Sequence, residues 1–319
     1  MTTLPFDVLI SPEDPKYYEK FYKSAFKNSG WMKSANDYDV WRTSFGEDYF
    51  FLAAIDRETK EHFGSVGGTF YRNNAGKRVI FCIGGFFLFP EFRGKGQGKP
   101  LFGVLLDIAK KEDVNIYLNC GDHMKDIYCS IGIDIIRKNY LIGYTPNYIH
   151  FNFEAAVFDD KSTLLDAKEC PDWEKVKEFD QKIVGDINRI NYLKTRAIQP
   201  TSHALISYDK VTNKVNGFAN AYQATGGNLI FGPFNADSDE IAEQLFICLF
   251  KKLAASKVQI GKVLFVTFQA NEFIVSLLKK YTNGRENRVF KKTSHFSKFD
   301  INVKTEFVYC LFETGLSFA

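Results

Sequence analysis

The chain has 319 residues, and domains usually run to about 100–200 residues, so two domains are expected. Hydrophobic residues make up 45% and charged residues 25%, an ordinary globular balance that excludes a disordered chain and a collagen-like fibre. Lys+Arg 41 against Asp+Glu 38 leaves a net +3, spread along the chain with no concentrated basic face, so no nucleic-acid partner is expected.

Two helical patterns open the sequence. Tyr18, Phe21, Tyr22 and Ala25 recur at helical spacing within Tyr17–Phe26, and Ser34 is a cap candidate ahead of Tyr38, Trp41 and Phe45. Three β-like runs follow, Tyr49–Ile55, Phe63–Tyr71 and Val79–Phe89, separated by turn-prone polar stretches. A helix then starts near Pro100, which a first turn tolerates, with Leu101, Leu105 and Ile108 on one stripe. Next come a strand at Asn115–Cys120 and a short helix with Asp122 as its cap, ending at Gly132. This succession is an α/β signature with parallel strands at its centre. The polar stretch Asp159–Trp173 reads as a linker, giving domains over residues 1–158 and 172–319. A second series repeats the element order. Helices are expected at Trp173–Val184 and Asp186–Thr195, and strands at His203–Tyr208, Val215–Tyr222 and Asn228–Phe231. Helix Ser238–Ala254, strand Lys262–Phe268, helix Asn271–Tyr281 and one or two strands within Phe307–Phe312 complete it.

No apolar run approaches the ~18 residues of a membrane span, so no membrane association is expected. Met1 to Pro15 lacks the basic-then-apolar pattern of a signal peptide. Six cysteines without a Cys-x-x-Cys and five scattered histidines point to reduced thiols, no metal and a cytoplasmic protein.

The segment that carries chemistry is Arg93-Gly94-Lys95-Gly96-Gln97-Gly98, between a strand and a helix. Alternate glycines leave backbone N–H groups uncovered, and the helix N-terminus adds its partial positive charge. With Arg93, Lys95 and Lys99 supplying formal charge, the expected guest is a phosphate or pyrophosphate. A P-loop is excluded, because Arg93 stands where its first glycine belongs and Pro100 where Ser or Thr belongs. The Gly-x-Gly-x-x-Gly dinucleotide pattern is excluded as well, since its last position falls on Lys99 or Leu101.

The pattern that fits is Arg-x-x-Gly-x-Gly at Arg93, Gly96 and Gly98. It resembles the acetyl-CoA signature of the GNAT superfamily of N-acetyltransferases. The run Gly85 to Gly96 is similar to that superfamily's central strand and pyrophosphate loop, including Pro90-Glu91-Phe92, and the likeness extends over roughly residues 5–145. Ile127-Tyr128-Cys129-Ser130-Ile131-Gly132-Ile133 resembles its Leu-Tyr-x-x-x-Gly-Phe element. The second half resembles the C-terminal domain of tandem-GNAT proteins at Phe179-Asp180, Gly185-Asp186, Arg189, Gly217-Phe218, Gly232 to Asp237 and Asn271. Its counterpart loop, Gly232 to Asp239, has one glycine, a proline, two acids and no basic residue, so it is expected to repel pyrophosphate.

The resemblance implies two tandem domains, each a mixed, mostly antiparallel sheet with a splayed parallel centre flanked by helices. It also implies acetyl-CoA as co-substrate and direct transfer of acetyl to an amine of a small molecule or protein. Phe87 and Leu88 would pair with the pantetheine arm, and Arg93, Gly94, Lys95, Gly96, Gln97, Gly98 and Lys99 would hold the pyrophosphate. Tyr128 would be the general acid for the departing thiolate. The second domain would shape the substrate cleft without binding CoA. Two departures stand out. The strand Val79–Phe89 holds no Glu, Asp or His to act as base, and Gly121 replaces a frequent Asn. Asp122, His123 and Glu91 flank the expected cleft as caps or solvated residues. Asn119, Gly121 and the acid-free strand fit the alternative, an acyl-CoA-binding or sensing protein without turnover.

Overall fold

The computed structural model describes residues 4–154 and 162–319. Its first half runs β1 (Phe6–Ile10), α1 (Lys16–Ser29), α2 (Asp37–Phe45), β2 (Tyr49–Asp56), β3 (His62–Asn73), β4 (Arg78–Leu88), α3 (Gly98–Lys110) and β5 (Asn115–Cys120). It ends with α4 (Lys125–Cys129), β6 (Ile135–Ile136) and β7 (Leu141–Tyr144). The second half runs β8 (Ser162–Asp166), α5 (Trp173–Val184), β9 (Ile187–Asn188), α6 (Ile190–Ala197), β10 (Ser202–Asp209), β11 (Val215–Ala224) and β12 (Asn228–Ala236). It continues through α7 (Asp239–Ala255), β13 (Val263–Phe268), α8 (Glu272–Thr282), β14 (Arg288–Phe296) and β15 (Val308–Cys310).

Local chemistry sets the helix ends. In α1 the stripe Tyr18, Phe21 and Ala25 is buried, and the helix stops at Gly30, which takes a left-handed φ of 67° and donates its N–H to Phe26. Asp172 caps α5 through Glu174 N, and Ser238 caps α7 through Ile241 N.

The strands form one 15-stranded sheet whose main path is β1-β2-β3-β4-β5-β14-β7-β13-β12-β11-β10-β8. Among the described residues, only β4–β5 and β12–β13 pair in parallel. Read from either end, the two halves repeat the same order, but each finishes on the other's strand. Strand β14 lies against β5, with Thr293 opposite Cys120, and β7 lies against β13, with Phe265 opposite Tyr144. This exchange merges the halves into one sheet and places second-half residues beside the first-half centre.

Both central strands carry a bulge. Between β3 and β4 the register passes from Ser65↔Phe87 to Gly67↔Gly84, two residues opposite one, and Gly85 accommodates the extra residue with a φ of 65°. Strand β5 accompanies β4 only from Ile80↔Asn115 to Ile83↔Leu118. Beyond that point the two diverge. Strand β12 bulges likewise, passing from Ala219↔Phe234 to Ala221↔Phe231. There the gap is filled: β15 pairs with β12 at Phe234↔Cys310, and Leu311 N donates to Val266 of β13 at 2.8 Å.

One apolar core draws on both halves, with Tyr18, Trp41 and Tyr117 beside Tyr192, Phe312 and Phe318. Its polar links also cross between halves. Arg196 pairs with Asp37, both buried, and Trp41 Nε1 donates to the Tyr192 hydroxyl at 2.9 Å. The Tyr192 ring stacks on Phe312 at 4.0 Å. A buried pair cannot be solvated if broken, so these links fix the relative position of the halves.

Several expectations change. The stretch read as a linker holds β8, an edge strand on β10; Asp159, Asp160, Lys161 and the boundary at residue 158 lie outside the described residues. The second helix of the second half starts at Ile190, after the two-residue β9. Gly232 to Ala236 is strand rather than loop. Asp122 does not cap; Gly121 holds that place and no side chain bonds there.

Candidate functional site

The open gap beside β4 is the candidate site. On its far side the chain turns through Pro90–Phe92 into the glycine loop and enters α3 at Gly98. Gly94 and Gly96 both have a φ of 75°, and a Cβ on either would meet nothing within 4 Å. Among the described residues, the amides of Gly94 to Gln97 donate to no protein acceptor, and the side-chain oxygen of Gln97 is buried without a partner. Uncovered amides at the mouth of a helix form an anion cradle. The residues present therefore fit a pyrophosphate. Lys99 is exposed at the start of α3, and Lys95 rests 4.9 Å from the Phe92 ring centre. Arg93 folds back. Its Nε donates to the Leu88 carbonyl at 2.9 Å, and its guanidinium lies 5.0 Å from the Phe87 ring centre.

The Phe87 ring points towards α1 and its following loop, 6.2 Å from Phe21 and 5.6 Å from Trp31. On the opposite face, three rings run from β4 across α3 to α4: Phe86 to Phe102 at 5.4 Å, then Phe102 to Tyr128 at 5.4 Å. The series ties Tyr128 to the end of β4 through rings on three elements. Tyr128 is buried, its ring packed against Phe102. Burial, with the Cys120 thiol adding to it, pushes the Tyr128 hydroxyl well above the usual phenol range. It stays protonated at any ordinary pH.

The segment after β15 comes from the far end of the sequence and crosses to this site, a placement no local pattern signalled. Gly315 packs on Gly84, where a Cβ would come within 2.5 Å of Gly315 backbone atoms. Glu313 accepts from Lys33 Nζ at 2.9 Å, from Gly315 N at 2.8 Å and from Leu316 N. Lys33 and Glu313 are both buried; Lys33 and the backbone donors hold the carboxylate below its usual range against the cost of burial. Asn119 donates to the Thr314 carbonyl at 3.3 Å. A narrow apolar cavity lies under the bulge, lined by Phe21, Trp41, Tyr49, Phe51, Gly84 and Leu316 among others. Glu91 is exposed in its turn, and Asp122 reaches Lys291 at 4.0 Å.

Residues 16–127 match the profile of the acetyltransferase (GNAT) family. No curated protein sequence matches the chain. Among solved structures, a Pyrococcus horikoshii protein described as an acetyltransferase is similar over 99% of this chain and 98% of its own, with a TM-score of 0.72 and 17% identity. A tandem GNAT protein from the clavulanic acid biosynthesis pathway covers 92% of this chain and 100% of its own, with a TM-score of 0.66 and 9% identity. Saccharomyces cerevisiae N-myristoyltransferase with bound myristoyl-CoA covers 96% and 81%, with a TM-score of 0.63 and 11% identity. At such identities the likeness is one of fold. The GNAT acetyltransferase family match is thus confined to residues 16–127, and the chain as a whole has the fold of the tandem GNAT structures. Among the described residues no helix is long and apolar enough to cross a membrane.

Proposed function

We propose that the protein is an acyl-CoA-dependent N-acyltransferase whose first half, residues 1–158, binds acetyl-CoA and whose second half, residues 172–319, completes the acceptor side of the cleft. The observation that carries this reading is the divergence of β5 from β4 beyond Ile83↔Leu118, followed on β4 by a glycine loop whose amides are unpaired among the described residues. Acetyl-CoA, when bound, supplies a thioester as acyl donor.

The chain's own groups account for the remaining tasks. The amides of Gly94 to Gly98, with Arg93, Lys95 and Lys99, hold the pyrophosphate. The free edge of β4 at Phe87 and Leu88 takes the pantetheine arm as an added strand. The Leu88 carbonyl is occupied by Arg93, so that guanidinium turns outward when the arm pairs, which frees it for phosphate. A β4 backbone N–H stabilises the charge that develops on the acyl oxygen. Tyr128 donates a hydrogen bond to the departing sulfur and gives up its proton only as the thiolate forms.

Binding is tested by calorimetry and thermal denaturation. A ligand that binds only the folded state stabilises it by about 2.7 kcal/mol at a hundredfold excess over Kd. CoA should raise Tm accordingly; no shift and no heat would remove the CoA-binding assignment. Turnover is tested separately, with acetyl-CoA, an amine panel and mass detection of acetylated products. CoA binding without any product would support the alternative, binding without catalysis, which the acid-free β4 favours.

A further inference from the structure

An attacking amine must lose its ammonium proton, and β4 offers no group to take it. The strand exchange supplies one from elsewhere. Lys292 lies on β14, one residue beyond Thr293, which faces Cys120 at the end of β5. Alternation along β14 puts Lys292 on the same sheet face as Ser294, whose hydroxyl donates to Asn119 at 2.8 Å. Asn119 in turn holds Thr314 of the segment that covers Gly84. Lys292, opposite Leu141 of β7, therefore stands just past the end of β5, on the face where the covering segment lies.

Its surroundings are unusual for a lysine. The side chain is only partly exposed and has no ion-pair partner among the described residues; the Phe290 ring centre lies 5.0 Å from its Nζ. The groups whose charge acts on it are Lys33 from the loop before α2, Glu313 from the covering segment and the Cys120 thiol from β5. Glu313 is committed to Lys33 at 2.9 Å and to two backbone N–H groups. Two ammonium groups thus share one carboxylate, and Lys292 is the one left over. Burial first, then the Lys33 charge, bring its ammonium down to about 8, with Glu313 and Cys120 opposing.

We infer that Lys292, carried into the first-half cleft by the exchanged strand, is the base that deprotonates the acceptor amine. This rests on the transferase reading above. In the step, the neutral Lys292 Nζ takes a proton from the acceptor ammonium, and the freed nitrogen lone pair forms the C–N bond as the C–S bond breaks. The sulfur keeps that electron pair and accepts the Tyr128 proton, the new amide nitrogen sheds its second proton to water, Lys292 returns its proton to solvent, and the Tyr128 phenolate takes a proton back from water, so that one proton is released per transfer.

The test has two arms. The first needs no turnover: competitive acetic anhydride labelling of the full chain, read by mass spectrometry across pH, reports the ionisation of Lys292 itself. Half-maximal reactivity near pH 8, well below that of the surface lysines, is expected. Reactivity that tracks the surface lysines would overturn the inference. The second arm compares two acceptors of similar size, methylamine and hydroxylamine, with acetyl-CoA near neutral pH. Hydroxylamine is already neutral there, whereas methylamine is an ammonium ion. In K292M the ratio of methylamine to hydroxylamine turnover should fall by roughly 10²–10⁴-fold, the range for a lost general base. K292R should match K292M, because arginine keeps the charge but does not release its proton. An unchanged ratio, or rescue by arginine, would mean a positioning or electrostatic role and overturn the base assignment. Wild-type turnover of hydroxylamine alone would also overturn it. Absence of turnover with either amine would instead count against the transferase reading.

Discussion

Tyr128 and His62 show how burial chooses between protonation states near the site. The Tyr128 hydroxyl is driven upward by desolvation and by Cys120, so it is a weak acid that in the proposed transfer would act only while negative charge grows on sulfur. Tyr128→Phe keeps the ring against Phe102 and removes only the hydroxyl, so stability should change by less than about 1 kcal/mol. Acetyl-CoA affinity should hold while kcat falls roughly 10²–10⁴-fold. Between pH 6 and 9 the variant should lose no inflection, since the phenol does not titrate there; near-normal kcat would remove Tyr128 from the mechanism. His62 is buried between Tyr17 and Phe89 and steadies the end of β4. Its Nε2 must carry the proton, because it meets the Gly64 carbonyl at 3.0 Å, and its Nδ1 is buried without a partner. A second proton would have nowhere to point. Burial accordingly lowers its pKa from 6.5 to about 4, with the Lys20 charge adding and the Gly64 bond opposing. Between these values the unfolded chain binds more protons, so the stability tied to neutral His62 is complete above 6.5 and is lost as pH falls towards 4. The loss is on the order of 3 kcal/mol. Urea melts at pH 7 and pH 4.5 should show it for the wild type and not for His62→Gln; equal acid sensitivity would refute it.

At the scale of elements, the glycine loop separates binding from folding. Gly96 has open space around its Cβ position and a left-handed φ of 75°, a conformation that costs an L-residue about 1–2 kcal/mol and that Asp adopts more readily than most. Gly96→Asp should therefore still fold, with a modestly lower Tm. The added carboxylate faces the expected phosphates, and losing hydrogen bonds to a charged group costs about 1.5–3 kcal/mol, so CoA affinity should fall roughly a hundredfold. Full affinity in titration would place the phosphate site elsewhere. This loop was legible in sequence because its chemistry is local: glycine spacing, flanking strand and helix all lie within a few residues. The core of the first half was legible for the same reason, since β2, β3 and the stripe of α1 announce their own periods. Strand β14 gave no such signal. Lys291, Lys292, Thr293 and Ser294 read as polar, and their partner Cys120 lies 173 residues from Thr293. Strands β1 and β8 lie at the sheet edges and β7 is only four residues long, too short for a period to emerge. The missing base was invisible for the same reason. It lies on a strand whose neighbours are set by the exchange, not by its own sequence.

Across the whole molecule, the two halves start from one plan and diverge at one place. Each has a parallel pair of strands, a bulge at the same point of the central strand and a helix following it. In the first half the bulge opens onto a gap lined by basic residues and free amides. In the second half β15 occupies the corresponding gap, and a Cβ on Gly232 would fall 1.9 Å from the Leu311 carbonyl oxygen. The helix mouth there is closed too: Asp239 begins α7 and accepts from the Tyr309 hydroxyl at 2.7 Å, while Asp237 pairs with Lys182 at 3.3 Å. An incoming pantetheine arm would have to expel a strand already hydrogen-bonded to β12 and anchored on β13. The acids at its end would also repel the phosphates. The same chain segment then runs on to the first half, so freeing the second gap would strip Glu313 from Lys33 and Gly315 from Gly84. Filling one site and completing the other are thus a single packing arrangement. One CoA per chain is the expected stoichiometry by calorimetric titration, and Gly96→Asp should reduce it to no measurable site within the same concentration range. Two sites in the wild type, or one residual site of unchanged affinity in the variant, would show that β15 does not keep the second gap closed.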